Sequence, residues 1–75
     1  MELRIKEIRE DNDLTQKQIY SYLHCDQSLY SKYERNIREM PLDFIIKLAQ
    51  FYNTSVDYLL GLTDEKKPYP RRIRK

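Results

Sequence analysis

The sequence contains very little cysteine, histidine or glycine, and it has no long apolar run. Its only cysteine and its only histidine are adjacent, at Cys25 and His24. One cysteine excludes an internal disulfide, and two soft ligands are too few for a zinc site. We therefore expect no metal, no other cofactor and a reducing compartment.

No stretch approaches the roughly 20 apolar residues that cross a bilayer. The N-terminal MELRIKEIRE is charged throughout and has no apolar segment of the kind that marks a signal peptide. A chain of 75 residues is also long enough for one small domain only. These features predict a soluble, cytoplasmic, single-domain protein with no membrane partner.

The net charge of +2 is distributed unevenly along the chain. Residues 1–64 carry 8 Lys and Arg against 11 Asp and Glu, a net of −3, whereas residues 65–75 carry 6 against 1, a net of +5. Within residues 14–38 the basic residues exceed the acidic ones by 4 to 2, which favours local contact with a polyanion. We expect a folded domain at 1–64 and a flexible basic tail at 65–75, because the tail has two prolines and no apolar period.

Apolar residues recur at helical spacing from end to end, and no segment alternates as a strand would. This pattern predicts an all-α fold of five helices, the first at about 2–11. The second has the clearest start, because Thr15 is placed to cap it and Gln18 to complete a capping box. Leu14 and Ile19 stand where a hydrophobic staple forms, and the helix runs to Leu23.

The first residues of helices 4 and 5 predict where these helices begin. Pro41 suits a first helical turn, and LDFIIKLAQFY is apolar nearly all round, which predicts the most buried helix. Ser55 is placed to cap a short helix through VDYLL, and Gly61 stands where a left-handed residue would end it.

Only LHCD separates helix 2 from helix 3, so the two must cross at a steep angle, as in a helix-turn-helix. Asp26 is placed to cap helix 3, and Tyr30, Tyr33 and Ile37 repeat at the spacing of one buried stripe. The opposite face is short, polar and positive. Its residues are Gln27, Ser28, Ser31, Lys32 and Arg35.

Three runs, LTQKQIYSYL, SLYSKYER and LAQFYNTSVDYLLG, resemble the helix-turn-helix family of phage repressors and Cro, also called the xenobiotic-response-element type. The resemblance covers residues 3–62. It implies a compact five-helix, lambda-repressor-like domain that binds double-stranded operator DNA, usually as a homodimer. It also implies a transcriptional regulator, most simply a repressor that blocks polymerase. No small-molecule ligand is evident from the sequence.

The resemblance also implies roles for individual residues. Base-reading positions of the family fall on Gln27, Ser28, Ser31 and Lys32. Positions that meet the DNA backbone fall on Gln16, Lys17, Arg35, Asn36 and Arg38. A family ion pair that ties helix 1 to helix 3 falls on Arg9 and Glu34.

The side-chain chemistry agrees with these roles independently. Gln27 can pair with adenine N6 and N7, Lys32 can donate to guanine O6 and N7, and serine can serve either base. Gln16 stands at a helix N-terminus, where free amides and the helix dipole favour a phosphate. A solvated helix face would show the same polar stripe, and it is the turn spacing that favours DNA.

Two residues depart from the family pattern. Tyr20 stands where the family usually has alanine, so the packing of helix 2 on helix 3 must differ there. His24 stands where the turn usually has glycine, and a left-handed histidine costs on the order of 1 kcal/mol. We expect the turn to be preserved despite this cost.

Other functions find less support in the residues. His24 and Cys25 do not form a catalytic dyad, because consecutive side chains diverge and no third group orients them. No acid–base cluster, phosphate loop or metal spacing is present, so we predict no enzyme. The alternative that stays open is a protein-interaction module on the same scaffold, such as an antitoxin or an anti-repressor.

The apolar residues at the C-terminal edge predict how two copies would meet. A single domain offers one short recognition helix, which favours a two-fold dimer on an approximately palindromic site. We expect its interface around helix 5, at Tyr58, Leu59, Leu60 and Leu62.

Overall fold

A computed structural model describes residues 3–68 of the chain. These residues form five α-helices and, within that range, no strand, which confirms the predicted all-α fold. The helices are α1 (Ile5–Asp11), α2 (Gln16–Leu23), α3 (Gln27–Glu34), α4 (Leu42–Phe51) and α5 (Val56–Leu59). Among the helices in residues 3–68, none has both the length and the apolar character to cross a membrane.

Three helices begin at the caps that the sequence predicts. The Gln18 backbone N–H donates to Thr15 Oγ1 at 3.2 Å and Thr15 N–H donates to Gln18 Oε1 at 2.8 Å, so the capping box of α2 is complete. Asp26 accepts from the Leu29 N–H at 2.7 Å, and Ser55 accepts from the Tyr58 N–H at 2.9 Å. These bonds satisfy amide groups that the first turn of a helix leaves without a carbonyl partner.

All five helices end in the same way, with one residue in the left-handed conformation. At each end this residue and the next donate backbone hydrogen bonds back into the last turn, the pattern of a Schellman motif. The left-handed residues are Asp13, His24, Asn36, Asn53 and Gly61. His24 has φ 58° and ψ 40°, so the predicted turn forms with histidine in place of glycine.

The helices enclose one core of twelve buried apolar residues. Tyr30 is its largest fully buried side chain, and Ile19 and Leu23 of α2 pack with it. The Arg4 N–H donates to the Leu59 carbonyl at 2.9 Å and joins the start of α1 to α5. The full set is Ile5, Ile8, Ile19, Leu23, Tyr30, Tyr33, Met40, Ile45, Leu48, Ala49, Tyr58 and Leu59.

The prediction that Ile37 continues the buried stripe of α3 is wrong. Its side chain is 64% exposed. The helix ends at Glu34, and the left-handed Asn36 turns the chain away before the stripe reaches Ile37.

The prediction that α4 is the most buried helix is also wrong. Ile45, Leu48 and Ala49 are buried, but Leu42 is 63% exposed and Phe51 is 42% exposed. A domain this small has too few elements to surround any helix, so α4 keeps one face in solvent. Pro41 is its N-cap, so the helix begins one residue later than predicted.

Two of the four predicted dimer residues face the interior of their own chain. Tyr58 is 2% exposed and Leu59 is fully buried, so neither offers surface to a second copy, and this part of the prediction is wrong. Both lie on the side of α5 that closes the core. Leu60 is half-buried and Leu62 is 68% exposed, which leaves these two at the surface.

The predicted tail begins at residue 65, and its first four residues are described. The Lys66 carbonyl accepts a hydrogen bond of 2.6 Å from the buried hydroxyl of Thr54, in the loop between α4 and α5. The backbone is therefore attached to the domain at this point. The remainder of the predicted tail, residues 69–75, lies outside the described residues.

Candidate nucleic-acid interface

The outer face of α3 carries the four residues predicted to read bases. Gln27 and Ser28 lie in the first turn and are exposed, and Ser31 and Lys32 follow one turn later and are half-buried. The structure therefore brings these four together on one surface. The helix is held from behind by the buried rings of Tyr30 and Tyr33, the latter in edge contact with Phe44 at 6.2 Å between centroids.

The tight turn between α2 and α3 sets how α3 projects from the domain. Cys25 donates its backbone N–H to the Tyr20 carbonyl at 3.0 Å, so the chain reverses within the residues 24–26. Tyr20 is half-buried and packs against the core at the position where a smaller residue was expected. The domain therefore accommodates both departures from the family pattern and keeps α3 at its surface.

The predicted ion pair between Arg9 and Glu34 is formed, and it is bidentate. Arg9 Nε donates to Glu34 Oε2 at 2.7 Å, and Arg9 Nη2 donates to Glu34 Oε1 at 3.1 Å. The Glu34 side chain is 2% exposed and that of Arg9 is 12% exposed. Arg9 Nη1 also donates to the Leu14 carbonyl at 2.8 Å, so one guanidinium ties the end of α3 to the residues before α2.

The Glu34 carboxylate stays charged although it is buried. Burial acts to raise the pKa of Glu34, but the hydrogen bonds from Arg9 and Gln16 outweigh it and hold that pKa below its ordinary value. The phenols of Tyr30 and Tyr52 lie in the same region, and burial raises the pKa of Tyr52 to about 12. Neither hydroxyl makes a hydrogen bond of standard geometry among the described residues, but the Tyr30 hydroxyl faces the Glu34 carboxylate and, like Arg9, helps to lower the pKa of Glu34.

Gln16 has a contact that sequence reasoning missed. Its Nε2 donates to Glu34 Oε1 at 3.0 Å, so the side chain predicted to meet a phosphate is attached to the buried ion pair. Lys17, the next residue, is exposed at the same N-terminal turn of α2. No local signal points to this bond, because its partners are 18 residues apart and on different helices.

The remaining predicted backbone contacts lie at the other end of α3. Arg35 follows the helix and donates from Nε to the Ser31 carbonyl at 3.3 Å, and Arg38 is exposed in the loop before α4. Asn36 Oδ1 accepts the Leu3 N–H at 3.1 Å, a second contact that sequence reasoning missed. The acceptor atom of Asn36 is thus used within the domain, and its side-chain amide hydrogens remain for an outside group.

The described residues contain no group of three or more His, Cys, Asp or Glu side chains placed to hold a metal ion. Cys25 is half-buried against the core, and burial raises the pKa of its thiol. A raised pKa disfavours the thiolate that a nucleophile needs. Cys25 therefore acts as a packing residue.

Comparison with known proteins agrees with this arrangement. A helix-turn-helix family matches residues 5–59, from the start of α1 to the end of α5. An uncharacterized HTH-type transcriptional regulator, YobD of Bacillus subtilis, is 38% identical over 69 residues, which are 92% of this chain and 62% of that protein. The HTH-type transcriptional regulator ImmR of the same organism is 39% identical over 64 residues, which are 85% of this chain and 50% of that protein.

The chain therefore spans between half and two thirds of the length of these curated relatives. No solved structure matches it. The match to the family runs through every helix described above, including the α2–turn–α3 unit and the residues that pack behind it. On this evidence, the chain belongs to the helix-turn-helix family of the xenobiotic-response-element type, the family of HTH-type transcriptional regulators.

Proposed function

We propose that this protein binds double-stranded DNA at specific sequences and represses transcription from the sites it occupies. The observation that carries this proposal is the outer face of α3. Four polar side chains are presented together on a helix whose opposite face is fixed by buried tyrosines, with a helix N-terminus and a basic loop beside it. The relatives named as transcriptional regulators support the same class of function, and that class does not consist of enzymes.

The dimensions of α3 suit the major groove. An α-helix with its side chains is about 10 to 12 Å across, close to the width of about 12 Å of the B-DNA major groove. The side-chain amide of Gln27 can accept a hydrogen bond from adenine N6 and donate one to adenine N7. The ammonium group of Lys32 can donate to guanine O6 and N7. Ser28 and Ser31 are short enough to let the helix approach the base edges closely.

The DNA backbone is held on both sides of this helix. Gln16 and Lys17 belong to the first turn of α2, where amide groups without helical partners and the positive end of the dipole attract phosphate. Arg35, Asn36 and Arg38 form a second group, beyond the C-terminal end of α3. Contacts of this kind fix the register of α3 in the groove but carry no base information.

We further propose that two copies bind together on an approximately palindromic operator. Leu60 and the exposed Ile37 line a groove of about 420 Å³ beside the start of α4, and Leu62 lies exposed beyond α5. Covering these apolar side chains would favour a two-fold pair through the α5 region. The two α3 helices would then lie about 34 Å apart, one turn of DNA.

Selection from random duplexes in the presence of a polyanion competitor tests the function directly. We expect one preferred sequence with two-fold symmetry and two chains per duplex, measured by gel shift and by native mass. A preferred sequence that has no symmetry and binds one chain would contradict the dimer but leave the DNA-binding function intact. The absence of any preferred sequence would contradict the function itself and would favour the protein-interaction alternative. The polar face of α3 argues against that alternative, because a protein-binding face would be expected to be apolar.

A further inference from the structure

The loop between α3 and α4 carries an exposed isoleucine between two residues that we expect to contact DNA. Residues 35–39 are all exposed, and within them Ile37 stands between Asn36 and Arg38. Its side chain is 64% exposed, and the Ile37 N–H donates to the Lys32 carbonyl at 3.0 Å. An apolar side chain is therefore next in sequence to both of these candidates for phosphate contact.

Ile37 lines the groove of about 420 Å³ described above, and the whole loop borders this groove. Asn36, Arg38 and Glu39 line it together with Ile37. The rest of the lining is apolar and comes from Leu3, Met40, Ile45 and Leu60. Two residues that we expect to hold phosphates therefore also border the groove in which we place the contact between two copies.

Asn36 is joined to α5 through the segment before α1. Its Oδ1 accepts the Leu3 N–H at 3.1 Å, and the next residue, Arg4, donates its own N–H to the Leu59 carbonyl at 2.9 Å. The guanidinium of Arg4 also lies over the ring of Tyr58, 4.7 Å from its centroid. The position of the Asn36 side chain is therefore set relative to α5, the helix around which we place the dimer.

The groove has features that suit a second copy of the same chain. A two-fold interface uses one patch twice, so the patch must contain both a recess and a protruding group. The groove is the recess. The protruding group is Leu62, which is 68% exposed and has its Cα within about 7 Å of that of Leu60. Arg38 and Glu39 have opposite charges beside the groove, so a two-fold axis can bring each Arg38 to the Glu39 of the other copy.

We propose that Ile37 packs against the second copy across this groove, and that this contact fixes Asn36 and Arg38 for the DNA phosphates. Contact between copies and contact with the DNA backbone are then coupled through one loop, and each strengthens the other. The physical reason is entropic. An exposed loop loses conformational freedom when it binds a phosphate, and a second copy that already covers Ile37 reduces that loss. This inference rests on the proposed function, including its dimer, and identifies the residue that connects the two contacts.

The test begins with single variants of the whole chain. Ile37→Ser removes the apolar contact, and Ile37→Val is the conservative variant that keeps it. Ile46→Ser is the matched control, because Ile46 is an exposed isoleucine on α4 outside the groove lining. Affinity and stoichiometry are measured on the selected palindrome and on a duplex that contains one half-site. Circular dichroism and thermal unfolding verify that each variant is folded.

On the palindrome, Ile37→Ser should weaken binding by on the order of 10-fold, because each copy loses an apolar contact with the other. On the half-site duplex it should change the affinity by less than about 3-fold, as is usual for an exposed substitution. Ile37→Val should keep most of the affinity for the palindrome. Ile46→Ser should change neither affinity by more than about 3-fold.

A double-mutant cycle measures the coupling itself. Asn36→Gly accepts the left-handed conformation and removes the side-chain amide. On the palindrome, its cost should be about 2- to 10-fold smaller in the Ile37→Ser background than in the unchanged chain, because the phosphate contact must then order the loop without help from the second copy. Gln16→Ala, at the start of α2, is the control and should cost the same in both backgrounds.

Three results would overturn the inference while leaving sequence-specific binding in place. One is an unchanged affinity of Ile37→Ser for the palindrome. Another is an equal loss on the palindrome and on the half-site duplex, which would mean that Ile37 acts within one copy. The third is an equal cost of Asn36→Gly in both backgrounds, because the two contacts would then be independent. One chain per duplex would contradict the dimer and this inference together, whereas a chain that prefers no sequence would contradict the proposed function itself.

Discussion

Gln16 and Glu34 are joined by a hydrogen bond of 3.0 Å, from the side-chain amide at the start of α2 to the carboxylate at the end of α3. The same carboxylate accepts two bonds from Arg9. A glutamine amide carries two hydrogens, so one is held by Glu34 and the other is left for a phosphate. The buried ion pair thereby orients a side chain that we expect to contact DNA.

Gln16→Ala should weaken binding to every duplex by about 1.5 to 3 kcal/mol, because it removes a hydrogen bond to a charged phosphate of the DNA backbone. The salt slope should not change, since no cation is lost. Lys17→Gln is the matched control at the next position, and it should reduce the magnitude of the slope by about 1. A loss that appears only on the preferred sequence would show that Gln16 reads a base.

Gln27→Ala should cost about 1 to 3 kcal/mol on the preferred sequence and relax the preference at one base pair, because the amide can no longer pair with an adenine. Repeating the selection with the variant measures both effects. Gln50→Ala serves as a control of the same chemistry, because Gln50 is exposed on α4 and lies outside the proposed interface. If the variant selects an unchanged sequence, α3 does not read the groove as proposed.

Glu34→Ala should lower the free energy of unfolding by about 3 to 5 kcal/mol, because it leaves the guanidinium of Arg9 partly buried without its partner. Urea unfolding followed by circular dichroism measures this change. The exposed pair of Arg4 and Asp64 provides the comparison, since Asp64 is 95% exposed. Asp64→Asn should leave the urea midpoint nearly unchanged. Equal effects of the two substitutions would contradict the structural role of the buried pair.

The free energy of unfolding should depend on pH through the titration of Glu34. Its pKa is lower in the folded chain than the ordinary 4.5, so the unfolded chain takes up the proton first as the pH falls. The stability that the pair contributes is therefore present above about pH 4.5 and is lost as the pH falls through the folded pKa. Urea unfolding between pH 3 and 6 should show the difference between the unchanged chain and Glu34→Gln shrinking toward acid. A constant difference would mean that the folded pKa of Glu34 is not lowered.

His24→Gly should raise the free energy of unfolding by about 1 kcal/mol, because glycine adopts the left-handed conformation without a side-chain penalty. Asn36→Gly should not give this gain. Asn36 is left-handed too, but its Oδ1 accepts the Leu3 N–H, and glycine would lose that bond. Thermal unfolding of the two variants gives the comparison. An equal gain at both positions would show that the Asn36 side chain contributes nothing.

Where α2, α3 and α5 begin was determined by the sequence itself. Thr15, Asp26 and Ser55 cap helices where the sequence predicts, because a cap bonds to an amide only three residues away. The turn at His24 also follows from short-range order, since four residues between two amphipathic segments leave little choice of path. The polar face of α3 is also predicted by the sequence, because helical spacing alone determines which of its residues share a face.

Which apolar side chains are covered was decided only by the tertiary structure. Ile37 continues the spacing of α3 but is exposed, and Tyr58 and Leu59 close the core instead of facing a second copy. An apolar side chain favours burial, but whether it is buried depends on which other helices pack against its own element. The bond from Gln16 to Glu34 has the same origin, because it joins helices whose packing places residues 18 positions apart within 3.0 Å.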